Sequence, residues 1–316
     1  MNEKYLNLYT SFLKKFLRPA KPLKIVFDCS NGTTGLILKN LFKLLNFKTF
    51  KLINSIPDGN FPGHGPNPWA GGAMNQLKKE VLCQKADLGI IFDADGDRVF
   101  FINNLGRAVE PDIIARLLIR QSQPKKVVYD IRTGWLVKNL ESRISNLKII
   151  KSRVGHYFIK KLMRETGADL GVEKSGHYYF KKFFYCDAGI LTAIKIINAV
   201  SRLPYSLADF SDLLPQYYRS VEINVRADLR GPNVDLREKL KKIENYFKNQ
   251  TASRLKISYL DGLTMEFNPP TGGWWFNLRS SNTEPLIRLN IEAEDQKILE
   301  KKKKELMKLL KNPAPP

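Results

Sequence analysis

Three acidic residues at alternate positions, Asp93, Asp95 and Asp97, follow a short apolar run, and Arg98 comes directly after them. If the loop curls, the three carboxylates converge on one point, where like charges repel one another unless a cation lies between them. Oxygen ligands of this kind suit Mg²⁺, which prefers octahedral geometry and usually keeps positions for water or phosphate. The residues therefore favour a magnesium site over the alternative, a polar surface turn at the end of a strand.

A second polar cluster, "GVEKSGH", places Glu173, Ser175 and His177 within five residues of one another. A carboxylate and a hydroxyl suit neighbouring sugar hydroxyls, and a histidine suits proton transfer near neutral pH. The alternative is a polar turn whose histidine is packed into the structure, and the cluster taken alone fits that alternative better.

A third cluster, "RSSNTEPLIR", is dense in hydrogen-bond donors and flanked by two guanidinium groups, which favours a phosphate site over a turn with N-capping hydroxyls. Its candidate ligands are Arg279, Ser281, Asn282, Thr283 and Arg288. Two isolated residues carry weaker signals. Arg132 stands at the C-terminal end of a predicted strand, where ligand residues gather. His156 stands just before a predicted helix, where a lone histidine is more often structural.

The elements that must position these clusters alternate between strand and helix over most of the chain. An opening amphipathic helix is followed by β-loop-α patterns, which predict mainly parallel mixed sheets with ligand loops at the C-terminal ends of the strands. From about Tyr217 the pattern changes to hairpins and helices typical of an α+β domain. We therefore predict an α/β protein with two similar αβ domains and a C-terminal α+β domain. The predicted bounds are 1–20 for the helix, 21–121 and 122–214 for the αβ domains, and 215–316 for the α+β domain.

Composition limits the class of partner. The 316 residues carry a formal net charge of +21, which indicates an anionic partner such as a phosphorylated metabolite, an anionic lipid or a nucleic acid. No zinc-finger spacing, RNP-type motif or basic-aromatic alternation accompanies the charge, so nucleic acid is the weaker interpretation. No apolar run reaches the roughly 20 residues of a membrane span. Three widely separated cysteines fit a reducing compartment, so we expect a cytoplasmic protein with no membrane partner.

Six motifs, taken together and in order, resemble those of the α-D-phosphohexomutases, in particular the bacterial phosphomannomutase/phosphoglucomutase branch. They are "DCSNGTTG", "PDGNFPGHGPNP", "DADGDR", "VGH", "GVEKSGH" and "RSSNTEPLIR", and the likeness extends from about residue 20 to residue 300. The resemblance implies the interconversion of hexose 1-phosphate and hexose 6-phosphate in carbohydrate metabolism. It further implies that the phosphoryl group passes through an enzyme phosphoserine and a hexose 1,6-bisphosphate intermediate.

The resemblance also implies roles for individual residues. The ligands of Mg²⁺ would be Asp93, Asp95 and Asp97. The catalytic residues would be Arg98, close to the transferring phosphate, and His177, near the proton transfer. The residues facing the substrate would be Arg132, His156, Glu173 and Ser175. The residues that clamp the phosphate that is not reacting would be Arg279, Ser281, Asn282, Thr283 and Arg288.

One departure from the family pattern bears on activity. The phosphoserine of the family lies in its first domain, in a motif of the form Thr-Ala-Ser-His-Asn-Pro, and the 316 residues contain no such motif. We therefore expect the first domain to be missing or separately encoded, and this chain to be inactive alone. Two other classes stay open: a non-catalytic sugar-phosphate-binding protein and, less favoured, a basic nucleic-acid-binding protein. The preferred sugar, whether mannose, glucose or an amino sugar, also stays open.

Overall fold

The computed structural model describes residues 3–45, 49–226, 236–249, 254–268, 272–281, 284 and 286–311. The chain divides into two compact units, of which the first comprises Met1–Lys151 and Gly155–Leu214 and the second comprises Ser152–Val154 and Pro215–Pro316. Among the described residues, no helix combines the length and apolar character that crossing a membrane would require.

The first unit contains a five-stranded mixed sheet in its N-terminal half, with the order β2-β1-β3-β4-β5. The strands are β1 (Ile25–Asp28), β2 (Phe50–Ile53), β3 (Leu88–Phe92), β4 (Val99–Asn103) and β5 (Ala108–Val109). The helices of this region are α1 (Glu3–Lys14), α2 (Thr34–Leu45), α3 (Asn75–Gln84) and α4 (Pro111–Ser122). Apolar residues of α3 pack against one set of strand side chains, and those of α1, α2 and α4 pack against the alternate set. This is the arrangement that strand periodicity dictates, since successive side chains point to opposite faces.

The acidic loop connects two neighbouring strands of this sheet. Strand β1 is parallel to β2 and β3, whereas β3 turns back antiparallel into β4, with Phe92 opposite Val99. Residues 93–98 therefore form the tip of a hairpin at the C-terminal edge of the parallel strands. The turn after β1 supports this tip closely, because a Cβ on Gly32 would lie 2.0 Å from the carbonyl oxygen of Ala94.

A second five-stranded mixed sheet, with the order β10-β9-β8-β6-β7, lies in the C-terminal half of the first unit. Its strands are β6 (Lys126–Asp130), β7 (Lys148–Ser152), β8 (Leu170–Val172), β9 (Tyr178–Phe180) and β10 (Cys186–Asp187). Its helices are α5 (Trp135–Lys138), α6 (His156–Thr166), α7 (Gly189–Ser201) and α8 (Leu207–Asp212). Helix α7 is buried along nearly its whole length. Its apolar residues belong to one core cluster with residues of both sheets, so the two sheets share a core.

The second unit is built on an antiparallel sheet with the order β11-β16-β15-β14-β13, and β12 also pairs with β16. Its strands are β11 (Tyr218–Arg219), β12 (Ile223–Arg226), β13 (Leu255–Ser258), β14 (Leu263–Phe267), β15 (Trp274–Ser280) and β16 (Leu286–Ala293). Its helices are α9 (Leu236–Asn249) and α10 (Gln296–Lys311). The core stacks Phe267 on Trp274 with ring centroids 4.2 Å apart. The predicted fold class, two αβ domains with mixed sheets and a C-terminal α+β domain, is confirmed.

Candidate functional site

The three acids of the hairpin tip do converge. One carboxylate oxygen from each of Asp93, Asp95 and Asp97 lies within 4.8 Å of the other two. Asp93 is only 2% exposed, and its carboxylate accepts hydrogen bonds from the backbone amides of Gly96 and Arg98, each 3.1 Å long, and from Nε of Arg98 at 2.5 Å. Asp95 is exposed and Asp97 is half-buried. The loop thus presents a buried carboxylate, a half-buried one and an exposed one, those of Asp93, Asp97 and Asp95, at a spacing suited to one cation.

The acidic loop can close this tightly because Gly96 has a φ of +79°, in the left-handed region that favours glycine. A Cβ at this position would also lie 2.3 Å from Cγ2 of Thr34, at the start of α2. The start of α7 approaches from another side, since a Cβ on Gly189 would lie 2.4 Å from the carbonyl oxygen of Gly96. Two helix termini therefore fix the shape of the loop.

The charges of the loop are set by burial and by its neighbours. Burial raises the pKa of Asp93 to about 6, against the opposing effect of its hydrogen bonds with Arg98. The hydrogen bond with His177 lowers the pKa of Asp97 to about 2. Both carboxylates are therefore mainly ionised at neutral pH, which is the state that a metal ligand requires.

The acidic loop is joined directly to the loop that carries Glu173, Ser175 and His177. Arg98 and His177 form an antiparallel β-bridge, and the amide of Val99 donates to the carbonyl of Gly176 at 3.1 Å. The imidazole Nε2 of His177 lies 3.4 Å from Oδ2 of Asp97. Two predicted clusters that are about 80 residues apart in sequence are thus in direct contact and form one site. Neither spacing nor composition indicated this contact.

Within the second loop, Glu173 is the centre of a buried hydrogen-bond network. Glu173 is only 4% exposed. Its Oε1 accepts a hydrogen bond from the Tyr179 hydroxyl at 2.5 Å. Its Oε2 lies 3.3 Å from the Ser175 hydroxyl and 3.4 Å from the guanidinium of Arg132. The Ser175 hydroxyl is in turn 3.0 Å from Nδ1 of His177. A carboxylate, a hydroxyl, an imidazole and a guanidinium therefore lie side by side, as recognition of a polyhydroxylated ligand would require.

Burial is the main cause of the raised pKa of Glu173, and the nearby charge of Asp130 adds to it. Burial would also raise the pKa of Asp130, but the guanidinium of Arg132, bonded at 2.7 Å, holds that pKa below its ordinary value. For His177, burial alone would lower the pKa, but the hydrogen bond with Asp97 and the charges of Glu173 and Asp97 raise it. The site is therefore a network of alternating charges around one imidazole.

Three members of this network were missed by sequence reasoning. Asp130 ends β6 and orients Arg132, and the signal was available in the "YDIR" motif. Tyr179 lies two residues after His177, so period-2 alternation places both on one face, where their rings stack with centroids 6.3 Å apart. Asp187 lies opposite Tyr179 in β10 and has a carboxylate oxygen within 4.8 Å of ligand atoms of Asp97 and His177. No local signal in the sequence marked Asp187.

A further pair that the sequence did not indicate fastens the turn-rich loop at residues 57–68. Nε2 of His64 lies 3.1 Å from Oδ2 of Asp28, with side chains that are 7% and 0% exposed. The adjacent carboxylate of Asp28 raises the pKa of His64. Asp28 also accepts from Asn54 and from the amide of Ser30, each at 3.0 Å, so this carboxylate organises the turn that supports the acidic loop.

His156 is placed differently from the other candidates. It is exposed at the first position of α6, preceded by Gly155 with a φ of +123°. Among the residues that the structure describes, no hydrogen bond or ion pair joins His156 to the Glu173 network. Its role in binding substrate stays a prediction.

In the second unit, the two predicted guanidinium groups lie side by side, because Arg279 in β15 pairs directly with Arg288 in β16. The Glu222 carboxylate lies between them, 3.2 Å from Arg279 and 3.3 Å from Arg288. Ser281 donates its amide to the carbonyl of Leu286 at 2.8 Å. Asn282 and Thr283 lie outside the described residues. No motif in the sequence indicated Glu222, which holds the two cations in place.

Three family models match the chain. All three describe domains of phosphoglucomutase/phosphomannomutase. The alpha/beta/alpha domain II matches residues 3–106, the alpha/beta/alpha domain III matches residues 111–218, and the C-terminal domain matches residues 222–309. Together they account for both sheets of the first unit and for the antiparallel sheet of the second. The chain belongs to the phosphoglucomutase/phosphomannomutase family.

Individual relatives agree with this assignment. A phosphomannomutase of Methanocaldococcus jannaschii is 35% identical over 311 residues, which cover 96% of this chain and 66% of that relative. A phosphoglucomutase/phosphomannomutase family protein from Burkholderia thailandensis has a TM-score of 0.81 at 25% identity, covering 97% of this chain and 64% of that chain. The chain thus spans just under two thirds of the length of these relatives.

A more distant solved structure shows likeness in fold alone. It is the Aspergillus fumigatus N-acetylphosphoglucosamine mutase in complex with GlcNAc-6P and magnesium, with a TM-score of 0.62 at 16% identity. The match covers 94% of this chain and 68% of that one.

Proposed function

We propose that this chain is the metal- and sugar-phosphate-binding portion of a phosphohexomutase that interconverts hexose 1-phosphate and hexose 6-phosphate. The observation that carries the proposal is the joining of the two loops. The Asp93–Asp97 carboxylates and the Glu173–Ser175–His177 network meet through the Arg98–His177 bridge. A phosphoryl group held at the first loop would therefore be next to a sugar held at the second.

The cation of this site would be Mg²⁺, held by Asp93, Asp95 and Asp97. Carboxylate oxygens are the ligands that this ion prefers, and the distances among them fit one ion. The magnesium and GlcNAc-6P in the A. fumigatus mutase are in keeping with this choice. When bound, Mg²⁺ would neutralise charge on a transferring phosphoryl group.

The remaining roles belong to side chains of the two loops. The Arg98 side chain is 29% exposed, and its guanidinium lies beside the carboxylates. There it can neutralise part of the negative charge on the phosphoryl oxygens. Glu173 and Ser175 would accept and donate hydrogen bonds to sugar hydroxyls, with Arg132 oriented beside them. His177, in contact with both Asp97 and Ser175, would exchange a proton with the reacting hydroxyl.

In the second unit, the pair Arg279 and Arg288 would bind the phosphate that is not reacting. Both guanidiniums donate to one carboxylate, that of Glu222, and this shared contact supports the proposal that they bind one anion. A phosphate would compete with this carboxylate for the same donors. Asn282 and Thr283, in the same motif, are proposed as further donors.

The phosphoryl donor would be a phosphoserine that these 316 residues do not supply, since they contain no Thr-Ala-Ser-His-Asn-Pro motif. The reaction would transfer the phosphoryl group from that serine to the sugar, forming a hexose 1,6-bisphosphate. The other phosphate would then return to the serine. The 316-residue chain is accordingly expected to bind substrate but not to turn it over alone.

Binding of a divalent cation tests the metal part of the proposal. Mn²⁺, whose EPR signal reports free ion and which takes similar oxygen ligands, would be titrated into the chain. We expect Asp95→Asn and Asp97→Asn each to weaken binding by at least roughly tenfold, a loss that even outer-shell changes cause. Asp212→Asn is the matched control, because Asp212 is an exposed acid whose one ion pair within the described residues is with Arg107. Equal affinity in all four proteins would contradict the assignment.

A further inference from the structure

A basic cavity lies at the opposite end of the second sheet from the proposed active site. It has a volume of about 640 Å³ and is lined in part by Lys125, Lys181, Lys182 and Lys195. Lys125 precedes β6, whereas Arg132 follows that strand at its other end. A strand of five residues spans roughly 16 Å. The cavity is therefore separate from the loops that carry Glu173 and Asp93.

The cationic character of the cavity is not balanced by acids. Asp169 is the only acidic residue among its described lining residues, and its carboxylate already accepts the backbone amides of Lys125 at 2.9 Å and Lys126 at 3.3 Å. Over the described part of the chain, no carboxylate lies within ion-pair distance of Lys182 or Lys195. Four lysines therefore line a concave space that has one acidic residue among its described lining residues, and the Nζ of one of them, Lys181, donates to the carbonyl of Gly167 at 3.3 Å.

Lys195 is the most unusual of these residues. It lies on α7, is half-buried, and places its Nζ 5.2 Å from the ring centroid of Phe180 and 5.8 Å from that of Phe16. Burial lowers its pKa, and the neighbouring charge of Lys182 lowers it further. A half-buried cation without a carboxylate costs stability, which ring contacts offset only partly. Such a cost is a common sign of a functional position.

Lys302 shows what a structural lysine in similar surroundings looks like. Its Nζ also lies over two rings, 5.4 Å from the centroid of Phe247 and 4.8 Å from that of Trp274. Unlike Lys195, it is paired with a carboxylate, that of Glu305, at 2.8 Å. Lys195 and Lys302 therefore differ in one respect: both lie over two aromatic rings, but within the described residues only Lys302 is paired with a carboxylate.

A second basic cavity adjoins the first. It has a volume of about 790 Å³, shares Lys125 with the first cavity, and is lined in part by Arg116, Arg120 and Arg143. Volumes of this size are typical of sites for small molecules, which occupy roughly 300–1,000 Å³. The concave shape thus favours a small anion over an extended polymer, for which a flat basic stripe would be expected.

We propose that the cavity around Lys182 and Lys195 is a second anion site, which binds a small molecule carrying at least two negative charges on phosphate groups. It is distinct from the substrate site and does not depend on the mutase proposal. The anion would supply negative charge beside Lys182 and Lys195, and the rings of Phe16 and Phe180 would hold Lys195 in place for it.

The test uses pyrophosphate as the probe, in the absence of Mg²⁺, with the 316-residue chain and its Lys195→Met and Lys302→Met variants. Calorimetry is expected to show a pyrophosphate site that Lys195→Met weakens by about tenfold, the contribution of one charge-assisted contact. Lys302→Met should leave that affinity unchanged. Without ligand, Lys195→Met should unfold at a higher urea concentration than the parent, because an apolar side chain suits the rings better, whereas Lys302→Met should unfold at a lower one.

Site-resolved acetylation read by mass spectrometry gives a second measurement. Pyrophosphate should slow modification of Lys182 and Lys195 several-fold and leave Lys302 unaffected. The proposal is overturned if pyrophosphate affinity is the same in Lys195→Met as in the parent, or if pyrophosphate protects neither lysine. Protection by a single-stranded oligonucleotide but not by pyrophosphate would overturn it in favour of a polymeric partner.

Discussion

The hydroxyl of Tyr179 provides a sharp test of the Glu173 network, because the adjacent Tyr178 is a matched control. Both side chains are buried, with exposed fractions of 0% and 1%. Tyr179 donates to the Glu173 carboxylate at 2.5 Å, whereas Tyr178 donates to the neutral carbonyl of Pro111 at 3.3 Å. The substitutions Tyr179→Phe and Tyr178→Phe each remove one buried hydroxyl, and the two hydroxyls differ in whether the group they contact is charged.

The expected losses follow from the two acceptors. A hydrogen bond to a charged group contributes about 1.5–3 kcal/mol, and one to a neutral group about 0.5–1.5 kcal/mol. Tyr179→Phe should therefore lower the free energy of unfolding by about 1 kcal/mol more than Tyr178→Phe does. Urea unfolding measures the two losses. Hydrogen exchange in peptides around β8 and β9 shows whether the lost stability is that of the first unit, to which these strands belong.

The dependence on pH makes the test specific to Glu173. Burial raises the pKa of this carboxyl, so its ionised form is unfavourable in the fold and depends on the Tyr179 hydroxyl for stabilisation. The extra loss in Tyr179→Phe should be complete above the folded-state pKa of Glu173 and should shrink as the pH falls through it, while the loss in Tyr178→Phe stays constant. Equal losses for the two variants, or a difference that does not change with pH, would refute this account of the network.

Two further predictions concern the supports of the acidic loop. Asp28 raises the pKa of His64, so the ion pair between them should be fully formed below about pH 6.5 and should weaken as the pH rises through the folded-state pKa of His64. Thermolysin cleavage at residues 57–68 should then accelerate with rising pH. Asp28→Asn should make this cleavage fast and independent of pH. Gly189→Ala should lower the free energy of unfolding by about 1–3 kcal/mol, a typical cost of overpacking, because its Cβ would lie 2.4 Å from the Gly96 carbonyl oxygen. Gly59→Ala, with no atom within 4 Å of its Cβ, should change stability by less than about 0.5 kcal/mol; equal effects of the two glycine substitutions would contradict the packing argument.

The local features of the fold could be predicted from the sequence because they depend on local chemistry. The hairpin of β13 and β14 is one such feature, because its turn carries the pair Asp261-Gly262 and Gly262 has a φ of +73° that few other residues adopt. The convergence of Asp93, Asp95 and Asp97 followed in the same way from their alternate spacing. The predicted mixed sheets were confirmed, and in the first sheet the antiparallel pair arises because the six-residue acidic loop is too short for a crossover and returns β4 antiparallel to β3.

The contacts that unite the site could not be predicted, because they join residues distant in sequence. The bridge between Arg98 and His177 depends on how the two sheets of the first unit pack, and the carboxylate of Glu222 between two arginines depends on how strands are ordered in the third sheet. Strand order is a property of the whole core and leaves no mark on a single motif. The buried pair Asp28 and His64 is of the same kind, since the two residues stand in different motifs of the sequence.

The most direct test of the proposed activity is turnover with the phosphoryl donor supplied separately. The 316-residue chain would be mixed with a separately produced, phosphorylated first domain that carries the Thr-Ala-Ser-His-Asn-Pro motif. Conversion of glucose 1-phosphate to glucose 6-phosphate would be followed in the presence of Mg²⁺. We predict no conversion by either polypeptide alone, conversion by the two together, and its loss when the chain carries Asp97→Asn. Conversion by the 316-residue chain alone, or none with a donor domain that demonstrably binds it, would contradict the proposal.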